Sequence, residues 1–355
     1  MQDGKINLRA LLPGEIAEEL KAMGQPAYRA KQVFDWASRG AESFDEMTNL
    51  PKQLRSALDG KYYLYAPKAE RKQVSDEDGT VKYLWGLRDG NAVETVVMRY
   101  HYGNSICIST QVGCRQGCAF CASTKAGFVR SLTASEILEQ VYMAGRDTGE
   151  KISSIVMMGI GEPLDNYENV LRFLELVASP EGLNLSHRHI SLSTCGVVDK
   201  IYDLAERNLQ LTLSISLHAT TDGARSEMMP INRRWGISEL LEACRYYTGK
   251  THRRISYEYA LIAGVNDSRA QALELAALLK GTLCHVNLIP VNYVKEAGYE
   301  KSPKERVYAF QKALNDKGVN ATVRRTLGAD ISAACGQLRR ETEGLQPDPE
   351  GSVSI

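Results

Sequence analysis

From about residue 104 onward, short runs rich in β-branched and apolar residues alternate with longer runs whose apolar positions recur every three or four residues. The short runs predict strands at Ser105–Thr110, Ser154–Gly159, His189–Thr194, Leu211–Leu217, Ile255–Leu261, His285–Pro290 and Ala321–Thr326. The longer runs predict helices near 134–147, 166–178, 197–207, 238–248, 268–280 and 304–317. Thr133-Ala-Ser-Glu136 and Ser302-Pro303-Lys304-Glu305 both have the form of a capping box, the second with proline at the first helical position. Strands alternating with helices of this length form right-handed βαβ units and a parallel sheet. Six units and a closing strand predict an α/β fold, a partial (β/α)6 TIM-like barrel, with a doubly wound open sheet as the competitor.

The chain ahead of residue 104 follows other rules. Residues 1 to about 75 read as a small helical accessory domain, with amphipathic runs at Glu15 to Met23, Tyr28 to Ser38 and Pro51 to Leu58, the last ending at an Asp59-Gly60 turn. Residues 76–103 read as a short β section, Val81–Trp85 and Val93–Met98, joined through the turn signal Asp89-Gly90-Asn91. The barrel is expected over 104–340. The tail 341–355 is polar, rich in proline and glycine, and expected to be disordered.

The unusual short motifs all follow a predicted strand. The cysteine loop Cys114–Cys121 follows the first, and Gly159-Ile-Gly-Glu-Pro163 the second. Ser193-Thr-Cys-Gly196 and Ser216-Leu-His218 close the third and fourth, Gly264-Val-Asn-Asp267 follows the fifth, and Pro290-Val-Asn292 ends the sixth. Gly328 to Cys335 follows the last. Parallel β/α folds place their active sites at the carboxyl ends of the strands, so these segments converge on one face. Turn chemistry explains glycine and asparagine there. It does not explain cysteine, glutamate and histidine.

Composition narrows the chemistry. The 355 residues carry 43 Lys plus Arg against 43 Asp plus Glu, so nucleic-acid binding rests on local basic patches, not on a whole-molecule field. Arginine pairs at 233/234, 253/254, 324/325 and 339/340, with Arg188 and His189, are candidates for a phosphate-binding rim near the motif face. The longest apolar stretches fall far short of the roughly 20 residues that span a bilayer. The first residues lack a signal-peptide core, so a cytoplasmic setting with no membrane partner is expected. There, eight cysteines read as metal ligands, catalytic groups or buried small residues, not as a disulfide framework.

Cys114, Cys118 and Cys121 form C-x3-C-x2-C in a glycine-rich, polar loop. Three thiolates so close suit an iron–sulfur cluster whose last iron is left open for a reacting small molecule. Structural zinc wants four ligands, commonly in two pairs, and no partner pair occurs elsewhere. Alternation along Ile106-Cys107-Ile108-Ser109 turns both isoleucines toward the helices and Cys107 inward, near the loop.

The loop resembles the defining motif of radical S-adenosylmethionine (SAM) enzymes, and Gly161-Glu162 matches the family's motif for the SAM amino group. More widely, CISTQVGCRQGCAFCAST, MGIGEPLDNYENV, RHISLSTCGVV, SLHATTDGARSEMMPINRRW, HVNLIPVNYV and TLGADISAACGQLRR resemble the RlmN group of RNA methyltransferases. The match runs from about Glu94 to Arg340, and the N-terminal helices fit that group's accessory domain. The resemblance implies one [4Fe–4S] cluster held by Cys114, Cys118 and Cys121, and two SAM molecules consumed per methylation. It implies that Cys335 accepts a methyl group from one SAM, and that a second SAM gives the radical that activates it for attack on C2 of an adenine. Glu94 then takes the proton, and Cys107 attacks Cys335 to release the RNA through a transient disulfide. Gly161, Glu162, Ser193, Ser216, Leu217, His218 and Asn292 match SAM-contacting positions. The implied substrates are adenine 2503 of 23S rRNA and adenine 37 of tRNA, with a flavodoxin- or ferredoxin-type electron donor and a monomeric chain. The related Cfr group methylates C8 and usually has alanine after Gly-Glu; Pro163 favours C2. The rivals are a radical SAM enzyme of another reaction type, which would not need Cys335, and a zinc-containing RNA-binding module.

Overall fold

The computed structural model describes residues 5–125, 127–290 and 299–331. The chain opens with β1 (Ile6–Asn7), α1 (Pro13–Ala22), α2 (Tyr28–Ser38), α3 (Lys52–Lys61) and β2 (Tyr62–Tyr63), which pairs with β1. Leu20, Val33, Met47 and Leu54 build a separate small core for this unit. The α3 helix runs through Asp59 and Gly60, where a turn was expected, and ends where Tyr62 begins the ladder with β1.

Next come β3 (Lys68–Val74), β4 (Val81–Gly86), β5 (Ala92–Tyr100) and β6 (Gly103–Cys107), an antiparallel meander. β3, with the charged sequence KAERKQV, lies inside the span of 1 to about 75 that was read as helical. It is an exposed edge strand, where polar side chains are tolerated and guard against edge-to-edge pairing. A hairpin follows, β7 (Gln111–Gly113) with β8 (Phe128–Ser131), enclosing the short helix α4 (Ala122–Lys125).

The remaining chain is the β/α repeat. It runs α5 (Ala134–Thr148), β9 (Ile152–Met157), α6 (Tyr167–Ala178), β10 (Ile190–Thr194), α7 (Val198–Glu206) and β11 (Thr212–Ser216). It continues with α8 (Asp222–Met228), α9 (Ile237–Thr251), β12 (Ile255–Leu261), α10 (Arg269–Leu279), β13 (Cys284–Pro290), α11 (Lys304–Asp316) and β14 (Ala321–Val323). Thr133 caps α5 as expected, through Glu136 N–H to its Oγ1 and Thr133 N–H to Glu136 Oε2. Ser302 does not cap α11; its hydroxyl donates to buried Asp267 at 2.8 Å, and Pro303 precedes the first helical residue.

One ten-stranded sheet has the order β14-β13-β12-β11-β10-β9-β6-β5-β4-β3. β6 and β9 to β14 are mutually parallel, and the meander extends them as a mixed sheet. The order advances in one direction without reversing, which rules out the doubly wound alternative and lets a partial barrel curl. Alternation sorts the faces. Val93, Val97, Ile106 and Ile108 join the core under the helices, whereas Val96, Met98 and Cys107 face the lumen with Leu327. The segment after β14 is tied back to the β3–β4 turn. Gly328 N–H donates to Asp78 at 2.8 Å, and Asp330 accepts from Ser75 Oγ and Asp76 N–H. Burial opposes ionisation of Asp78, but hydrogen bonds from Thr80 and Gly328 outweigh it and hold the carboxyl down to about 2.

The N-terminal unit docks on α5 and α6. Asn7 Nδ2 and Arg9 Nη1 both approach Glu139 Oε1, at 2.6 and 3.4 Å, and Arg9 also donates to the Ala37, Ala41 and Tyr65 carbonyls. Arg172 on α6 donates to the Ala10 carbonyl. Burial pushes the Glu139 carboxyl up from 4.5 to about 8, against the pull of Arg9. Between about pH 5 and pH 8 the folded chain therefore holds a proton that the unfolded chain has already released. Stability falls as pH rises through that window and is level above it. Glu139→Gln keeps an acceptor for Asn7 and Arg9 but cannot titrate; its Tm is expected to change less between pH 5 and pH 8 than that of the parent, measured by calorimetry.

Candidate functional site: a cysteine-lined cavity at the carboxyl ends of the strands

The β7–β8 hairpin clamps the base of the cysteine loop. Gly113 has φ +76°, and a Cβ there would lie 1.7 Å from the Gly127 carbonyl oxygen, so the crossing requires glycine. Cys114 N–H donates to that same carbonyl at 3.1 Å, and Thr124 Oγ1 donates to the Cys118 and Cys121 carbonyls. Ala119 N–H reaches the Met228 carbonyl at the end of α8, which anchors the loop from below.

Cys114, Cys118 and Cys121 all line one cavity of 420 Å³. Cys107, Gly161, Glu162, Ser193, Ser216 and His218 line the same cavity, as does Cys195. Burial pushes the Cys114 thiol up to about 12, with Glu162 and Cys121 adding to it, and raises Cys118 further with Cys121 and Cys114 as neighbours. The thiols are thus mutual electrostatic neighbours in an acidic corner. Among the described residues no three ligand side chains converge on a single metal ion. A cubane cluster does not ask for that, since each thiolate takes a different iron. Three soft donors on one wall, presented by a loop whose backbone is independently braced, fit a [4Fe–4S] cluster.

Glu162 is fully enclosed. Its Oε2 accepts Cys195 N–H at 2.8 Å, its Oε1 accepts Leu164 N–H at 3.0 Å, and its own N–H donates to Gln111 Oε1. Burial raises its carboxyl, and the two backbone donors pull the other way. Gly161 just before it has φ +107°, with Gln111 backbone nitrogen only 2.8 Å from where a Cβ would sit.

His218 adopts φ +58°, and its Nδ1 accepts Ala260 N–H at 2.9 Å. Burial, with the Arg225 charge adding to it, drops its pKa to about 3. The ring is therefore neutral at pH 7 with its proton on Nε2. Phe120 from the cysteine loop meets it edge to face at 4.7 Å. Leu217 has its side chain in the hydrophobic core, so any contact it makes in the cavity comes from its backbone.

Glu94 faces the lumen side of β5, but its carboxylate is 3.0 Å from Lys82 Nζ and it is not part of the cavity wall. Cys335 and Asn292 lie outside the described residues, as do the 339/340 arginine pair and the tail 341–355. Arg324 and Arg325 line the cavity. Arg253, Arg254, Arg188 and His189 do not belong to the motif face. They precede β12 and β10, and strand polarity puts them at the opposite end of the barrel.

Two functional residues escaped the sequence reading. Glu258 on β12 is buried on the cavity wall, accepting from Ser256 Oγ and Asn287 Nδ2 at 2.9 and 2.6 Å, and burial raises its carboxyl. A glutamate in the apolar run ISYEYAL was the available signal. Arg225 on α8 has no exposed surface. Its guanidinium donates to the carbonyls of Cys195, Ser216 and Leu217 and to Asn232 Oδ1. No local pattern distinguishes it from a surface helix arginine.

A partial β/α barrel with a three-cysteine loop after its first parallel strand and a Gly-Glu turn after the second defines a radical SAM enzyme. Residues 108–276 match the Radical SAM superfamily model, and residues 6–64 match the Ribosomal RNA large subunit methyltransferase N-terminal domain. The chain is 54% identical over 336 residues to a probable dual-specificity RNA methyltransferase RlmN of Clostridium perfringens, covering 94% of this chain and 97% of that one. It is 52% identical over 337 residues to its counterpart in Alkaliphilus oremlandii, covering 95% and 98%. The crystal structure of a radical SAM methyltransferase from Sphaerobacter thermophilus superposes with a TM-score of 0.89 at 46% identity, covering 94% of this chain and 98% of that one. The chain belongs to the RlmN family, whose radical SAM chemistry uses a [4Fe–4S] cluster and SAM.

Two substitutions probe this geometry. Gly161→Ala forces a strained φ and a backbone clash, so a loss of roughly 2 kcal/mol in stability or more is expected, with SAM binding abolished in equilibrium dialysis. Arg225→Met strands two buried carbonyls and one part-buried one, and is expected to cost about 3–5 kcal/mol in urea unfolding.

Proposed function

We propose that this chain methylates C2 of adenine in RNA, with adenine 2503 of 23S rRNA and adenine 37 of tRNA as the substrates, through a methylated Cys335. The observation that carries the reading is Cys107: besides Cys195 in the turn after β10, it is a cysteine outside the loop that shares the cavity wall with the three of the loop, and it sits on the lumen face of β6. Cluster ligation does not call for it, and a thiol-based release step does. The relatives named as RNA methyltransferases and the accessory domain support an RNA substrate.

When bound, the cluster and SAM supply a 5′-deoxyadenosyl radical and, from a second SAM, a methyl group. The chain's own residues do the rest. Glu162 is a carboxylate whose place is set by two backbone donors, and with Gly161 it offers a rigid edge for the SAM amino group. Ser193, Ser216 and neutral His218 supply uncharged polar contacts along the same wall, and Asn292 completes the SAM set. Cys335 carries the one-carbon unit to the adenine, Glu94 accepts the proton, and Cys107 resolves the adduct as a disulfide with Cys335. Two SAM are consumed in a ping-pong order, so methylation of Cys335 precedes RNA. Arg324 and Arg325 at the cavity are placed to take phosphates of an unstacked adenosine. Pro163, which starts the turn after Glu162, favours C2 over C8. The working context is a cytoplasmic monomer reduced by a flavodoxin- or ferredoxin-type donor.

Digestion and mass analysis of RNA methylated in vitro by the anaerobically reconstituted protein should yield 2-methyladenosine; 8-methyladenosine or no methylated base would overturn the reading. Cys335→Ala should abolish methyl transfer. Cys107→Ala should accumulate a covalent protein–RNA adduct, visible on denaturing gels, and clean turnover by that variant would remove its resolving role.

A further inference from the structure

On the lumen side of the meander, an ion pair is set into an apolar wall. Lys82 Nζ lies 3.0 Å from Glu94 Oε2, and the two side chains are 0% and 3% exposed. In the ladder Leu84 stands opposite Glu94 and Val96 opposite Lys82, so the two charges are diagonal neighbours on one face. Val96 in turn stands opposite Cys107. By register Leu84, Ala92, Val96, Met98 and Cys107, all buried, lie on the same face as the pair.

Stability does not account for such a pair. Taking two charges out of water is costly, and buried pairs are commonly replaceable by apolar residues without loss. Its location is more informative. The Glu94 carbonyl accepts Ser109 Oγ at 2.7 Å, and that Oγ also accepts Ile160 N–H at 3.0 Å. The Glu94 backbone is thus pinned to the strand that leads into the cysteine loop and to the residue before Gly161. A short carboxylate stem on an apolar face needs a fixed partner to hold one direction, and Lys82 reaches it from the neighbouring strand.

We propose that Lys82 is the positioning residue for Glu94: it holds the carboxylate on the lumen face of the sheet, the face that also carries Cys107, and supplies its countercharge, so that the proton acceptor is aimed before RNA arrives. The inference rests on the reading above, in which Glu94 accepts the proton. Lys82 makes no contact with the reacting atoms in this role. Its role runs through Glu94, which makes it separable from radical generation.

The test is a double-variant cycle on the full-length, reconstituted protein with an RNA substrate. Lys82→Met is expected to form 5′-deoxyadenosine and to methylate Cys335 as the parent does. Its kcat for methylated RNA should fall on the order of tenfold or more, with KM for RNA unchanged, as loss of a positioned acid–base group does. Lys82→Arg, which keeps the charge and reach, should recover most of that rate. Lys82→Met combined with Glu94→Gln should be no slower than Glu94→Gln alone, because both changes remove the same function. If Lys82→Met does not fold by itself, the double variant leaves no lone buried charge, and its comparison with Glu94→Gln, beside Lys82→Arg against the parent, decides the matter. Normal RNA turnover in Lys82→Met, or rate losses that multiply in the double variant, would overturn the assignment while leaving C2 methylation intact. A parent protein that makes no methylated adenosine would overturn both.

Discussion

The upper end of this barrel depends on one buried cation. Arg225 arrives from α8 and ends among the carbonyls of Cys195, Ser216 and Leu217, the residues at which β10 and β11 turn into the site. Each contact constrains something further along. Cys195 holds Glu162 through its N–H, and His218, next to Leu217, is fixed in a positive-φ turn by Ala260. The far end of α8 holds the cysteine loop through Met228 and Ala119. A guanidinium is suited to this task because it presents five donors in a rigid plane and keeps its charge under burial. The loops that would otherwise move independently are made into one rim.

Below that rim the lumen has two unlike halves. β5, β6 and β9 contribute Val96, Met98, Cys107, Val156 and Met158, an apolar wall against which a thioether or an unstacked base can pack. β10 to β13 contribute serines, Glu258 and Asn287, a hydrogen-bonding wall. A group with an apolar reacting end and a polar remainder, such as SAM or a nucleoside, is matched by this division. Closure of the barrel is achieved by side chains, since β14 and β3 share no ladder and the 328–330 segment is tied to the β3–β4 turn through Asp78 and Asp330.

The parallel strands and most helices of the repeat were legible to within a few residues, because each buries one stripe or one face and so carries a period; the short α8 was not among the expected helices. The cysteine loop and the Gly161-Glu162 turn were legible because few folds need those residues at that spacing. The misses share a cause. β3 is an edge strand whose side chains nothing buries, so it carries no alternation. Ser302 has a cap's sequence, yet Asp267, 35 residues away, takes its hydroxyl. Arg253 and Arg254 have the composition of a binding rim, and only strand direction shows that they sit at the other end.

By itself the sequence determined the repeat, the three-cysteine loop after the first parallel strand and the inward turn of Cys107, since these follow from periodicity and local spacing. Only the tertiary structure decided that Arg225 is a buried knot, that Glu258 belongs to the cavity wall, and that Glu94 is held by Lys82. Those assignments depend on which strands become neighbours and on how far water is excluded between them, and contacts between residues far apart in the chain leave no mark in local pattern.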